Sequence, residues 1–221
     1  MAVRILTILL VGFAAFYSCL AQDTGATPKK ANVRPRADAG TTSKSEPFDK
    51  SDVKTMSEQC VRLETEVGNI GIELYPEQAP ETVRHFLNLV ATGMYDTTTF
   101  NRVVPNFVIQ GGKLSTRESG VTAEIETRSE RTIADEPNKI LHQRGVVSMA
   151  NSGEPHTGST QFFIVVSEAL HLDGRYSAFG RVTDGMNVVD DINRRPVINE
   201  RPEKPVRLRK ATIYPCASKP N

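Results

Sequence analysis

Residues 100–112 read FNRVVPNFVIQGG. Phe100–Val104 and Val108–Gln110 are apolar, strand-like pieces on either side of Pro105-Asn106, a turn-forming pair. Arg102, Val108 and Gln110 have the same parity, so they share a face if the strand is unbroken. A bend at Pro105-Asn106 can change that face. Read alone, the segment is a β-hairpin with an exposed Arg. A second segment, residues 146–166, reads VVSMANSGEPHTGSTQFFIVV. Two apolar strands, Val146–Ala150 and Gln161–Val166, flank a loop of small polar residues. Gln161 and Phe163 share a face, with Phe162 opposite. On spacing alone, this is ordinary barrel core.

Outward from these segments the pattern stays β-rich. Val61 to Glu64 alternates apolar and polar, and Ile70, Ile72 and Leu74 repeat it after Gly68-Asn69, which predicts a hairpin. Pro80 opens a helix where its missing N–H costs nothing. Val83, Phe86, Leu87 and Val90 form one apolar stripe, and Gly93 is placed to end the helix. Asp184 can cap a second, short helix with Val188, Val189 and Ile192 facing inward. Val206–Tyr214 reads as a last strand. Two helices among six or more strands, without regular alternation, argue against a doubly wound parallel sheet. They predict a mainly β fold: a closed antiparallel barrel with helices covering its ends. Residues 112–145 lack clear periodicity, so they are either a functional loop or a hidden element.

The ends differ from this domain. Residues 1–21 read as an export signal, with Arg4 ahead of the apolar run Ile5–Tyr17 and a cleavage site after Ala21. The run is too short to cross about 30 Å of hydrocarbon. Cys19 offers an alternative, as the lipidated first residue of a membrane-anchored form. Residues 22–57 are rich in Pro, Lys, Thr, Ser and Asp. Their large apolar residues, Val33, Phe48, Val53 and Met56, have no period, so a disordered linker is expected. The folded domain is then 58–216, with a tail at 217–221. Such a linker helps explain why only 38% of the 221 residues are hydrophobic, below the usual range of about 45–50%. A net charge of +1 is too small for a nucleic-acid binder.

Several chemistries lack an anchor. The four histidines, His85, His142, His156 and His171, have no ligand-like spacing, so no metal is expected. There is no Gly-x-Ser-x-Gly elbow for a Ser-His-Asp hydrolase. Gly111-Gly112-Lys113 fails as a phosphate loop, because Leu114 stands where Ser or Thr is needed.

Residues 100–112 resemble the cyclophilin signature Phe-His-Arg-Val-x-x-x-Phe-Met-Ile-Gln-Gly-Gly. Ser148-Met149-Ala150-Asn151, Gln161-Phe162-Phe163-Ile164, Leu172-Asp173-Gly174, Phe179-Gly180 and the helix start at Ala79-Pro80-Glu81-Thr82 are similar to family segments in the same order. The likeness spans 61–214. It implies a closed eight-stranded antiparallel β-barrel capped by two α-helices, and peptidyl-prolyl cis–trans isomerisation without a cofactor. Arg102 is then the catalytic arginine. Phe107, Val108, Phe163 and Leu172 form the proline pocket, and Gln110, Ala150, Asn151 and Gln161 hold the peptide backbone. Tyr176 takes the place of a pocket His, and His171 that of a Trp linked to cyclosporin binding, which argues against tight inhibitor binding. Asn101 and Val108 replace the motif's His and Met. Tyr176 and the short 113–145 region resemble bacterial exported members.

The implied partners are proline-containing polypeptides among exported proteins, with no nucleic acid. A membrane is involved only if Cys19 is lipidated, and a monomer is expected. The location is outside the cytoplasm, the periplasm in a Gram-negative source. First and last strands are neighbours in that barrel, which implies a Cys60–Cys216 disulfide and an oxidising compartment. A non-catalytic proline-peptide chaperone and a surface interaction protein remain as alternatives.

Overall fold

The computed structural model describes residues 45–216; the expected signal, the linker up to residue 44 and the tail lie outside them. Asp52 accepts the Thr55 N–H (2.7 Å) and caps a single turn, α1 (Val53–Ser57). Alternation then makes β1 (Gln59–Thr65), which pairs with β2 (Gly68–Leu74). The loop between them is Glu66-Val67, two residues earlier than the Gly68-Asn69 turn expected. Gly68 already pairs with Thr65. Its φ of 137° and the closeness of Val188, 2.6 Å from where a Cβ would sit, explain the glycine.

Helix α2 (Pro80–Ala91) buries the predicted stripe. Its first turn is capped from a distance: the Glu136 carboxylate accepts the Thr82 N–H and hydroxyl, each at 2.7 Å, and the Glu81 N–H at 3.1 Å. Negative charge there also suits the helix dipole. β3 (Arg102–Val104) and β4 (Val108–Gly111) form the hairpin around Pro105-Asn106. The aperiodic stretch hides a helix, α3 (Ala123–Glu130), capped by Thr122. Only Ile125 and Arg128 of it are buried, too little for a stripe. β5 (Val146–Met149) and β6 (Phe162–Val165) follow as expected.

β7 (Ala178–Asp184) was not foreseen, because Gly180 and Arg181 break its alternation. It lies between β2 and β5. α4 (Met186–Asn193) turns Val188, Val189 and Ile192 inward. Its N-cap is Gly185 rather than Asp184, which stays in β7 opposite Gly71. A two-residue hairpin, β8 (Val197–Ile198) with β9 (Arg201–Pro202), precedes β10 (Leu208–Pro215).

The eight long strands form one antiparallel sheet in the order β10-β1-β2-β7-β5-β6-β4-β3. It curls into a half-barrel, and the closed barrel expected from the sequence is corrected here. β3 and β10 end the sheet without pairing. Residues 97–100, just ahead of β3, reach β10 and its approach instead, through Leu208 N–H to Thr98 O (2.8 Å) and Phe100 N–H to Val206 O (2.9 Å). The Val103 N–H is taken by Glu200 O (2.8 Å). Four helices, not two, accompany the sheet among the described residues. Phe86 sits at the centre of the main core, with ring centroids 4.8 Å from Phe179, 5.4 Å from Tyr95 and 5.6 Å from Phe162.

Residues 45–57, expected in the disordered linker, are packed on this core. Met56 is fully buried, and Phe48 and Val53 join the core. Glu46 accepts bonds from Arg128 (2.8 Å) and Arg131 (3.2 Å), and Asn88 accepts the Phe48 N–H (2.7 Å). The partners are distant in sequence, so no local period marks the segment.

Cys60 and Cys216 form the implied disulfide, with Cα atoms 5.0 Å apart and a sequence separation of 156. Closing so long a loop restricts the unfolded chain. Replacing both with Ser is expected to lower the unfolding free energy by about 2–5 kcal/mol, measured by denaturant titration, with the native fold retained. His85 gives a second expectation. Burial, then Arg128, push its pKa from 6.5 down to about 4. The imidazole is neutral in the fold but takes a proton below pH 6.5 once unfolded. Stability from this group is therefore complete above pH 6.5 and lost as pH falls towards 4, on the order of 3 kcal/mol. Chemical denaturation across this range should show a shallower slope for His85→Gln.

Candidate active site

The site is a row of directly paired residues crossing four strands. Arg102 on β3 is opposite Gln110 on β4, Gln110 is opposite Phe163 on β6, and Phe163 is opposite Ser148 on β5. Cross-strand partners project from the same face. The Pro105-Asn106 turn thus keeps Arg102 and Gln110 together. Phe162 and Ile164 of β6 enter the main core, while Phe163 and Val165 join a second apolar cluster with Val108, Val146, Leu172 and Ala178. Burial on both faces explains the unbroken apolar run of β6.

Around this row lies a pocket of about 90 Å³. Its walls are Arg102, Phe107, Val108, Gln110, Ala150, Asn151, Phe163, Leu172 and Tyr176. That volume suits a small ring. The Phe163 and Tyr176 rings meet edge to face, with centroids 5.4 Å apart. The two other candidate residues border the pocket. Gln161 accepts a bond from Gln110 Nε2 (3.1 Å), and His171 lies against Phe107 with ring centroids 5.2 Å apart. Gly112, at φ 83°, lets the chain before Gln161 approach, since a Cβ there would be 2.4 Å from Thr160 O. A larger cleft of about 750 Å³ lies by Glu58, Tyr75 and Cys216 and contains none of the row.

The polar side is a chain of bonds. Arg102 Nη1 donates to Gln110 Oε1 (3.2 Å), and Arg102 Nε donates to Glu200 Oε2 (2.7 Å). The Arg102 side chain is 39% exposed, so its guanidinium borders both pocket and solvent. The Asn151 side-chain oxygen accepts the Gly153 N–H (3.1 Å) and shapes the loop at the pocket's edge.

Behind Phe163 is an array that sequence reasoning missed. Asp173 Oδ1 accepts the His142 main-chain N–H (2.7 Å) and lies 3.0 Å from His142 Nδ1. A carboxylate only accepts, so Nδ1 carries the hydrogen and Nε2 accepts the Ser148 hydroxyl (2.9 Å). Burial lowers the pKa of His142 against the opposing pull of Asp173. The His142 main-chain bond, with the imidazole bond beside it, lowers that of Asp173. Ser, His and Asp thus meet in the order of a hydrolase. Yet Ser148 and His142 are fully buried, so no substrate carbonyl reaches the hydroxyl. The array instead backs the ring floor, with His142 stacked on Phe163 at 6.2 Å. The three residues are 31 positions apart at the extremes, and no local spacing announces them. Glu200 was also missed, because Asn199-Glu200 lacks the glycine that marks a two-residue hairpin turn. Among the described residues, no group of three or more His, Cys, Asp or Glu is placed to hold a metal ion.

Residues 60–213 match the family model described as cyclophilin type peptidyl-prolyl cis-trans isomerase/CLD. A Dictyostelium discoideum peptidyl-prolyl cis-trans isomerase is 41% identical over 160 residues, covering 71% of this chain and 99% of the relative. One from Schizosaccharomyces pombe is 40% identical over 154 residues, covering 68% and 96%. Among solved structures, a Cryptosporidium parvum enzyme of this type, crystallised in the presence of the dipeptide Ala-Pro, superposes with a TM-score of 0.62 at 30% identity, covering 70% of this chain and 98% of that one. All three sources are eukaryotic, so these relatives lend no support to the bacterial likeness of Tyr176 and the short 113–145 region.

Proposed function

This chain belongs to the cyclophilin-type peptidyl-prolyl cis–trans isomerase family and is such an isomerase, and from that premise we propose that Arg102 is its catalytic group. An X-Pro bond isomerises in tens to hundreds of seconds unaided, because C–N double-bond character sets a barrier of about 18–20 kcal/mol. No bond is made or broken, so neither nucleophile nor cofactor takes part. As the carbonyl rotates, the prolyl nitrogen becomes pyramidal and gains a lone pair. A guanidinium donates to that lone pair only in the twisted amide, so the contact favours the transition state over the ground state. Arg102 is suited to this by its permanent charge and rigid fork.

The observation that carries the reading is the half-exposed guanidinium at the rim of a ring-sized apolar pocket. Phe107, Phe163 and Leu172 hold the proline ring. Gln110, Ala150, Asn151 and Gln161 hold the flanking peptide, and the apolar wall strengthens each bond by lowering local polarity. The C. parvum relative, crystallised in the presence of Ala-Pro, supports a proline-containing ligand here too. Val108 and Tyr176 complete the walls, and His171, bordering the pocket beside Phe107 in place of a Trp, weakens cyclosporin binding.

The enzyme acts, in this reading, as a monomer on exported proteins. Arg4, the apolar run to Tyr17 and Ala21 support export, and the Cys60–Cys216 disulfide suits an oxidising space. In a Gram-negative source that space is the periplasm. Residues 22–44 serve as a spacer.

Arg102→Ala is expected to lower turnover at least about tenfold, roughly 1.4 kcal/mol, in a proline-peptide exchange assay, with circular dichroism unchanged. A folded variant with full activity overturns the assignment. Intact mass of the protein recovered from its natural source should begin at Gln22. A mass starting at acylated Cys19 marks a lipid anchor instead, and an uncleaved chain refutes export.

A further inference from the structure

We infer that Glu200 is a positioning residue for Arg102, holding its guanidinium in the orientation catalysis needs. The inference rests on Arg102 being the catalytic group. Three nitrogens of that guanidinium can donate. Nε is bound to Glu200 Oε2 at 2.7 Å and Nη1 to Gln110 Oε1 at 3.2 Å. Nη2 has no protein partner among the described residues, so it is the nitrogen left to face a substrate. An arginine with a side chain 39% exposed and no such restraints would sample many rotamers. Two fixed acceptors, on separate elements, remove that freedom before the substrate arrives.

The backbone that presents Glu200 is built for the task. Asn199 and Glu200 form the two-residue loop between β8 and β9, with φ values of 51° and 64°. Consecutive left-handed residues are what a tight hairpin of this kind requires. Glycine would adopt them without strain, yet a glutamate is there. Strained positions of this sort concentrate where a side chain is needed. The hairpin is also docked on β3. Glu200 O accepts the Val103 N–H at 2.8 Å, one residue from Arg102, so main chain and carboxylate grip neighbouring residues. Glu200 is itself half exposed, and exposed ion pairs contribute little to stability. A role in positioning therefore separates cleanly from a role in folding.

The test compares Glu200→Gly, Glu200→Gln, Arg102→Ala and the double variant Arg102→Ala/Glu200→Gly. Glycine suits the turn, so the first variant removes the carboxylate without straining the hairpin. The assay is cis–trans exchange on a neutral proline peptide, read as kcat and KM, with thermal melting as the control. Glu200→Gly should lower kcat about fivefold or more with KM and melting temperature nearly unchanged. Glu200→Gln keeps an acceptor for Nε and should recover much of the loss. In the Arg102→Ala background, Glu200→Gly should change nothing further. Wild-type kcat in Glu200→Gly, an effect confined to KM, or an equal effect without Arg102 overturns the inference while leaving Arg102 in its role. Full activity in Arg102→Ala overturns the underlying reading instead.

Discussion

Gln110 is opposite Arg102 on one side and opposite Phe163 on the other, and it bonds to Gln161 and to Arg102 through its amide. This one register brings a cation, an amide and an aromatic ring onto a single face. A slip of one residue in β4 would turn Gln110 into the main core and Ile109 onto the site. The apolar packing of Ile109, Phe162 and Ile164 opposes such a slip, because those side chains fill the core on the other face. The precision of the site is thus secured by hydrophobic burial behind it.

Cis–trans isomerisation makes and breaks no covalent bond, so it requires no nucleophile. The burial of Ser148 and His142, whose geometry looks catalytic, agrees with that. Ser148, His142 and the partly exposed Asp173 are bonded in series, and the His142 ring lies against the Phe163 and Tyr176 rings. Their use is to satisfy buried polar atoms beneath an apolar floor. The same need for satisfied polar groups accounts for Glu136 at the start of α2 and Glu46 on Arg128.

Much of this was legible from the residues. The periods of β1, β2, α2 and α4 are local, since each element buries one face. The resemblance of residues 100–112 and 146–180 to the cyclophilin pattern named the pocket residues, nine of which line one cavity. Elements without a clear period escaped. β7 carries Gly180 and Arg181 within a buried strand, α3 buries too few residues to show a stripe, and residues 45–57 reach the core by a turn and one helical turn.

Read alone, the residues mark the strands and helices that bury one periodic face, such as β1, β2, α2 and α4, and the family pattern that the chain follows. Only the tertiary structure decided that the sheet stays a half-barrel, that residues 45–57 belong to the domain, and that Glu200 meets Arg102 across 98 positions. The physical reason is that periodicity records a residue's burial relative to its own element. Partners from distant elements become neighbours only after the sheet has curled and its loops have docked, and no local pattern encodes that encounter.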